Sequence, residues 1–187
     1  MSNPHGAPLR TFFALWPEAG LRDALAREAK QVADACRGRA MRSDTLHLTL
    51  VFLGATPPGK LDALREMMDA TDVPAFTLAL DRTGWWRHNG VAWAGTGTTP
   101  DALLALHGQL TRGADRLGFS LDVRPYAPHL TLARNAQRSP PAGIAPLPRW
   151  DVREFVLVAS ELRAEGPSYR VLHRRALRSA EPRADAA

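Results

Sequence analysis

Apolar residues recur along this chain with two different periods, and the switches between them predict the elements. Residues 10–16, RTFFALW, are a short apolar and aromatic run closed by Pro17, which predicts a strand. From Glu18 to Arg37 the apolar positions fall at helical spacing (Leu21, Leu25, Ala29, Val32, Cys36), with Gly38 just past the end. Leu46 to Leu53 alternate as a second strand. Pro58 to Ala70 follow as a second helix, with Pro58 suited to its first turn.

The pattern then repeats. PAFTLALDRTGWW and GVAWAG read as a hairpin around Asn89-Gly90. Residues 100–117 carry Leu103, Leu106, Leu110 and Leu117 at helical spacing up to Gly118, with Thr98 or Thr99 of GTGTTP expected to cap the start. The strand PHLTLAR comes next, then a Pro-rich loop over 138–149 and two β-rich runs, DVREFVLVASEL and PSYRVLHRRAL. Residues 1–178 are therefore expected to form one domain, and 179–187 a frayed tail.

Strand, helix, then a strand carrying HLTL occurs twice, with the two histidines, His47 and His129, 82 residues apart. Identity at that offset is almost confined to the motif, so two related lobes are expected rather than a solenoid. In a strand, alternate side chains share a face. His47 and Thr49 therefore point one way and the leucines between and after them the other, and His129 and Thr131 do the same. If the lobes face each other, two His-Thr pairs converge on one cleft.

Such a cleft suits phosphoryl transfer. An imidazole titrates near neutrality, so one histidine can serve as general base while its twin serves as general acid. The threonine hydroxyls can hold non-bridging phosphate oxygens, and groups on opposite walls favour the in-line geometry that displacement at phosphorus requires. One such strand is commonly a packing feature; two after matching strand-helix units point to catalysis.

Composition narrows the setting. Apolar residues make up 45% of 187 positions and charged residues 23%, values of a globular protein, and no apolar stretch reaches the length of a membrane span. The single cysteine, Cys36, allows no internal disulfide and no cysteine-rich metal site. With no signal-peptide core at the N-terminus, a cytoplasmic, membrane-free protein is expected. The net charge of +5 comes almost entirely from arginine, since lysine occurs only at positions 30 and 60. Arginine's planar fork matches phosphate, so the charge is compatible with a nucleic-acid partner.

Other motifs read as decoys. GATPPGKL imitates a phosphate-binding Gly-Lys loop, but Leu61 stands where a hydroxyl should hold magnesium, and Pro57 and Pro58 lack the N–H groups that cradle phosphate. GTGTTP lacks the third glycine of a dinucleotide fingerprint. Neither HLTL copy offers a second ligand at zinc spacing, so no metal and no cofactor are expected. His5, His107 and His173 read as surface residues, whereas His88, with Trp85, Trp86 and Arg87 in WWRH, lies beside a turn that can line the entrance of the cleft.

Over nearly its whole length the chain resembles the 2H phosphoesterase superfamily, and most closely its RNA 2′,3′-cyclic phosphodiesterases, also called the 2′-5′ RNA ligase family. The resemblance rests on RTFFALWP, LHLTLVFLG, GVAWAG, PHLTLAR and ASELRAEGPSYRVLHR. It implies an α+β fold of two pseudo-symmetric lobes, each an antiparallel sheet with helices on its outer face, around a central cleft holding both motifs. It implies metal-independent opening of RNA 2′,3′-cyclic phosphate ends, such as those of tRNA halves or other fragments, to 2′-phosphates, with 2′-5′ joining in some members. A monomer is expected. By the same resemblance His47 is the proton donor and His129 the acceptor that activates water, while Thr49, Thr131 and Arg134 bind the substrate. The sequence by itself leaves donor and acceptor interchangeable. Arg134 lies on the wrong face for strict alternation from His129, so a bulge or strand end is required there. Phe12 or Phe13 can stack on a base, and Phe13 is the assigned residue. Two alternatives remain: a related enzyme acting on another cyclic phosphate or a 2′-5′ linked nucleotide, and an RNA-binding module without turnover.

Overall fold

The alternating runs form one eight-stranded antiparallel sheet, in the computed structural model that describes residues 6–140, 149–163 and 166–179. In chain order the elements are β1 (Leu9–Leu15), α1 (Ala19–Cys36), β2 (Arg39–Ala40), β3 (Leu48–Thr56), α2 (Leu61–Asp69), β4 (Phe76–Leu78), β5 (Arg82–Trp86), β6 (Val91–Gly95), α3 (Asp101–Arg116), β7 (His129–Arg134), β8 (Trp150–Val152), β9 (Glu154–Arg163) and β10 (Gly166–Ala176). The main sheet runs β10-β9-β1-β3-β7-β6-β5, with β2 also paired to β7, and β4 and β8 make a separate two-stranded ribbon.

Most boundaries follow the periodicity, and the departures have local causes. β3 continues through Thr56, carrying Gly54 of the Gly-Lys loop into the sheet at φ 74°, a backbone setting that favours glycine. A 3₁₀ turn at Pro58–Lys60 precedes α2. The run from residue 74 to 86 divides into β4 and β5, which belong to different sheets. The expected threonine cap of α3 is corrected: Pro100 occupies the cap position without a side-chain bond, and Thr96 instead donates to the Thr98 carbonyl at 2.6 Å. The expected tail lies outside the described residues except for Ser179, as do His5 and most of the Pro-rich loop.

The sheet has two halves. β1 pairs with β3 along the whole strand, and β6 pairs with β7 over four positions, but β3 and β7 meet at one pair, Leu48 with Leu130. From that junction the halves diverge and leave a cleft. The helices cross over on the opposite face, where α1 packs on β7 and α3 on β3. Leu48, Leu50, Leu130 and Leu132 are buried there in the main core with Leu25, Val32, Leu103 and Leu106. A smaller apolar cluster, Phe12, Ala14, Val156 and Val158 with Trp16, Tyr169 and Val171 against it, covers the cleft face of β1, β9 and β10. This explains why β1 is apolar on both faces. Among the described residues no helix is long and apolar enough to cross a membrane.

Candidate active site

Each histidine stands at the start of a strand whose leucines are fixed in the core, so the backbone aims its ring into the cleft. His47 Nδ1 lies 2.7 Å from the Thr45 carbonyl and His129 Nδ1 lies 2.8 Å from the Ala127 carbonyl. A carbonyl can only accept, so both Nδ1 atoms carry the proton and donate it. This fixes one tautomer twice. Nε2 is left for the cleft on both rings, as a lone pair when the ring is neutral and as an N–H donor when it is charged.

The cleft has a volume of about 430 Å³ and is lined by His47, Thr49, His129, Thr131 and Arg134, together with Phe12 and Tyr169. The residues expected from the two motifs are thus brought together on one surface. Arg134 reaches it because β7 bulges: Trp93 pairs with Thr131 but Ala92 with Ala133, so Leu132 is an extra residue. Leu132 and Ala133 are consecutively buried, and the parity changes before Arg134.

The surroundings of the two rings differ. His47 is enclosed by aromatics, with Trp16 stacked at 5.4 Å and 7°, Phe12 at 4.9 Å, and Tyr169 edge-on at 5.1 Å. Among the described residues His129 has one such neighbour, Trp86, edge-on at 4.5 Å. Burial pushes the His47 pKa down to about 4, against the opposing effect of the Thr45 carbonyl, and the nearby His129 and Arg134 charges push the same way as burial. His129 is also lowered, first by burial and then by Arg134, with its carbonyl bond opposing. In the free protein both shifts favour the neutral ring.

Phe13 requires a correction. It is fully buried in the main core, on the face of β1 opposite the cleft, and cannot stack on a ligand there. Its neighbour Phe12 faces His47. Trp16 and Tyr169 are not singled out by the sequence, whereas Trp86 belongs to the WWRH stretch noted there and is the member of it that stands against His129; Trp16 is legible once Phe12 is known to face the cleft, since residues 12, 14 and 16 share a face.

The remaining candidates sit elsewhere. His88 is exposed in the β5–β6 turn and does not line the cleft. His107 is corrected from a surface residue to a half-buried one, stacked on Tyr126 at 3.9 Å and 12°, and the Tyr126 hydroxyl donates to the Thr49 carbonyl at 3.3 Å. His173 pairs with Asp69 at 2.9 Å. Lys60 of the Gly-Lys loop donates to the Leu117 carbonyl at 2.6 Å and lies over the Phe119 ring, so it closes the end of α3. Among the described residues no three His, Cys, Asp or Glu side chains are grouped to hold a metal ion.

Comparison with known proteins adds independent findings. Residues 15–93 and 96–169 match the model of the LigT like Phosphoesterase family. The RNA 2′,3′-cyclic phosphodiesterase of Escherichia coli K12 is 35% identical over 175 residues, 91% of this chain and 97% of its own. That of Thermus thermophilus is 32% identical over 194 residues, covering 95% of each chain. The crystal structure of E. coli LigT complexed with 3′-AMP superposes with a TM-score of 0.82 at 35% identity, covering 91% of this chain and 98% of that one.

Proposed function

Because this chain belongs to the LigT like Phosphoesterase family, we propose that it hydrolyses RNA 2′,3′-cyclic phosphate ends to 2′-phosphates. The carrying observation is the matched pair of Nδ1–H bonds to the Thr45 and Ala127 carbonyls, which leaves two Nε2 atoms facing one cleft. The relatives named above for this activity supply the substrate class.

The reaction follows from those two nitrogens. The cyclic phosphodiester is an anion, and its charge between the rings raises both imidazole pKa values from their depressed settings, so one ring takes up a proton as substrate binds. We assign that ring as His47. The resemblance to the family carries this assignment; once the bound anion has charged it, a ring buried among Trp16, Phe12 and Tyr169 holds its proton weakly and gives it up readily. His129 stays neutral, and its Nε2 removes a proton from water as the water oxygen bonds to phosphorus. The bond from phosphorus to O3′ breaks in line with the attack, and His47 Nε2–H protonates O3′. Thr49 and Thr131 donate to the non-bridging oxygens, and Arg134 balances their charge, where developing negative charge gains most from fixed donors. Solvent then returns the two rings to their starting protonation. The same steps in the same direction, with an RNA 5′-hydroxyl in place of water as the attacking group, form a 2′-5′ linkage as O3′ leaves as a hydroxyl, and their reversal cleaves it.

The test is incubation with a nucleoside 2′,3′-cyclic phosphate and identification of the product isomer. A 2′-phosphate is expected; a 3′-phosphate, or no turnover, rejects the assignment.

A further inference from the structure

The cleft does not end at the catalytic pair. Along β1 the side chains on its face are Ala14, Phe12 and Arg10, and along β9 they are Val156, Val158, Ser160 and Leu162. The register puts Phe12 beside Phe52 on β3 and Val158 on β9, Arg10 beside Ser160, and Leu162 beside Pro167 on β10. Leu162 lies four positions along β9 from Val158, about 13 Å at the rise of a strand. The character of this track changes along its length. Phe12, against His47, and Val158, paired with Phe12, are buried, whereas Phe52 is 44% and Leu162 88% exposed. The Arg10 guanidinium lies over the Phe52 ring, 4.7 Å from its centroid. None of the described residues lining the cleft is acidic.

An exposed aromatic ring held beside an arginine, on a basic track leading away from a phosphate site, matches a base and its phosphate in a single-stranded nucleic acid. Stacking on aromatic faces and charge along the backbone are how such strands are held without reading their sequence. We propose that Phe52 and Arg10 form a binding site for the nucleotide preceding the cyclic phosphate end. The base of that nucleotide stacks on Phe52, and Arg10 faces the phosphate linking it to the terminal nucleoside. The preferred substrate is then an RNA strand of two or more nucleotides, with little dependence on the identity of the base before the end. This rests on the cyclic phosphodiesterase reading above and adds where the rest of the strand lies.

The experiment compares a nucleoside 2′,3′-cyclic phosphate with a dinucleotide carrying the same end. The parent protein is expected to show the higher kcat/KM on the dinucleotide. Phe52→Ala should lower that value about 5- to 150-fold, the range that removal of one base–aromatic stack produces, while values on the mononucleotide stay within about twofold. Phe52→Tyr, which keeps the ring, should restore it. Arg10→Gln should reduce the salt dependence on the dinucleotide by about one contact and leave the mononucleotide unaffected. Equal losses on both substrates, or no loss on either, overturn the site. If the mononucleotide is hydrolysed but the dinucleotide gains nothing, this inference fails alone; if neither is hydrolysed, the cyclic phosphodiesterase reading fails and takes it along.

Discussion

Leu48 and Leu130, the equivalent residues of the two HLTL copies, are paired with each other and form the one point at which β3 meets β7. In that antiparallel register His47 lies opposite Thr131, and Thr49 opposite His129. Each end of the cleft is therefore built from the histidine of one copy and the threonine of the other. The local two-fold passes between the two leucines, which also explains why the sheet splits into halves there rather than at a linker.

The first prediction concerns the two rings. His47→Ala and His129→Ala should each lower kcat by about 10² to 10⁴-fold with the fold retained. The double variant should lose much less than the product of the two, because groups that act as a unit are not additive. Steady-state kinetics beside a circular-dichroism spectrum check this. Near-full activity in either folded variant contradicts the two-histidine mechanism.

Much of this arrangement is legible in the chain. Alternation alone separates His47 and Thr49 from the leucines, and the repeat 82 residues later announces the second wall. Three features are hidden, each for its own reason. Phe12 and Phe13 are adjacent, so alternation puts one on each face, but β1 is buried on both faces from Thr11 onward, and each face carries one polar residue, Arg10 with Phe12 and Thr11 with Phe13, so polarity does not mark the cleft side. Arg134 reaches the cleft through an extra residue at Leu132; a bulge or strand end is required for it to do so, but residue type alone does not show which of the two occurs or where. Tyr169 comes from the last long strand, and only the pairing of β10 with β9 brings it against His47.

Arg134 supplies the second prediction. It depresses both histidines and lines the cleft, which places its charge near the bound phosphate. Arg134→Ala should weaken RNA binding and reduce the slope of log affinity against log salt by about one. Binding titrations at several salt concentrations measure it. An unchanged slope and affinity make Arg134 a surface charge.

The third prediction tests the support of His129. A methyl group on Gly84 would stand 2.2 Å from Cζ2 of Trp93, which packs at 5.5 Å on Trp86, the ring set against His129. Gly84→Ala must displace Trp93, and overpacking of this kind costs about 1–3 kcal/mol. Denaturant unfolding should show that loss, and kcat should fall at a temperature where the variant is still folded. A stable variant with reduced kcat would confine the effect to the His129 wall; full activity would show that Trp86 does not position the ring.

Turnover is expected to survive EDTA, since the proton transfers are assigned to two imidazoles and the charge to Arg134 and two hydroxyls. Loss in chelator with recovery on one divalent ion overturns that assignment.

The last prediction links His47 to stability. Its pKa is about 4 in the folded protein, against about 6.5 in an unfolded chain. Between these values the unfolded state binds more protons than the folded one, so stability rises with pH across the window. The contribution is fully present above about pH 6.5, declines as the pH falls toward 4, and changes no further below that. The groups facing the ring, His129, Arg134 and Tyr169, include no carboxylate that could stabilise the cation instead. Its size follows from the gap between the two values and is on the order of 3 kcal/mol. His47→Asn removes the titrating group, so the drop in unfolding free energy between about pH 7 and pH 4.5 should shrink by a similar amount relative to the parent. Urea unfolding at the two pH values measures both drops. Equal drops in parent and variant would mean that the aromatic enclosure does not hold His47 neutral, and the route by which it receives its proton only with the substrate would be lost.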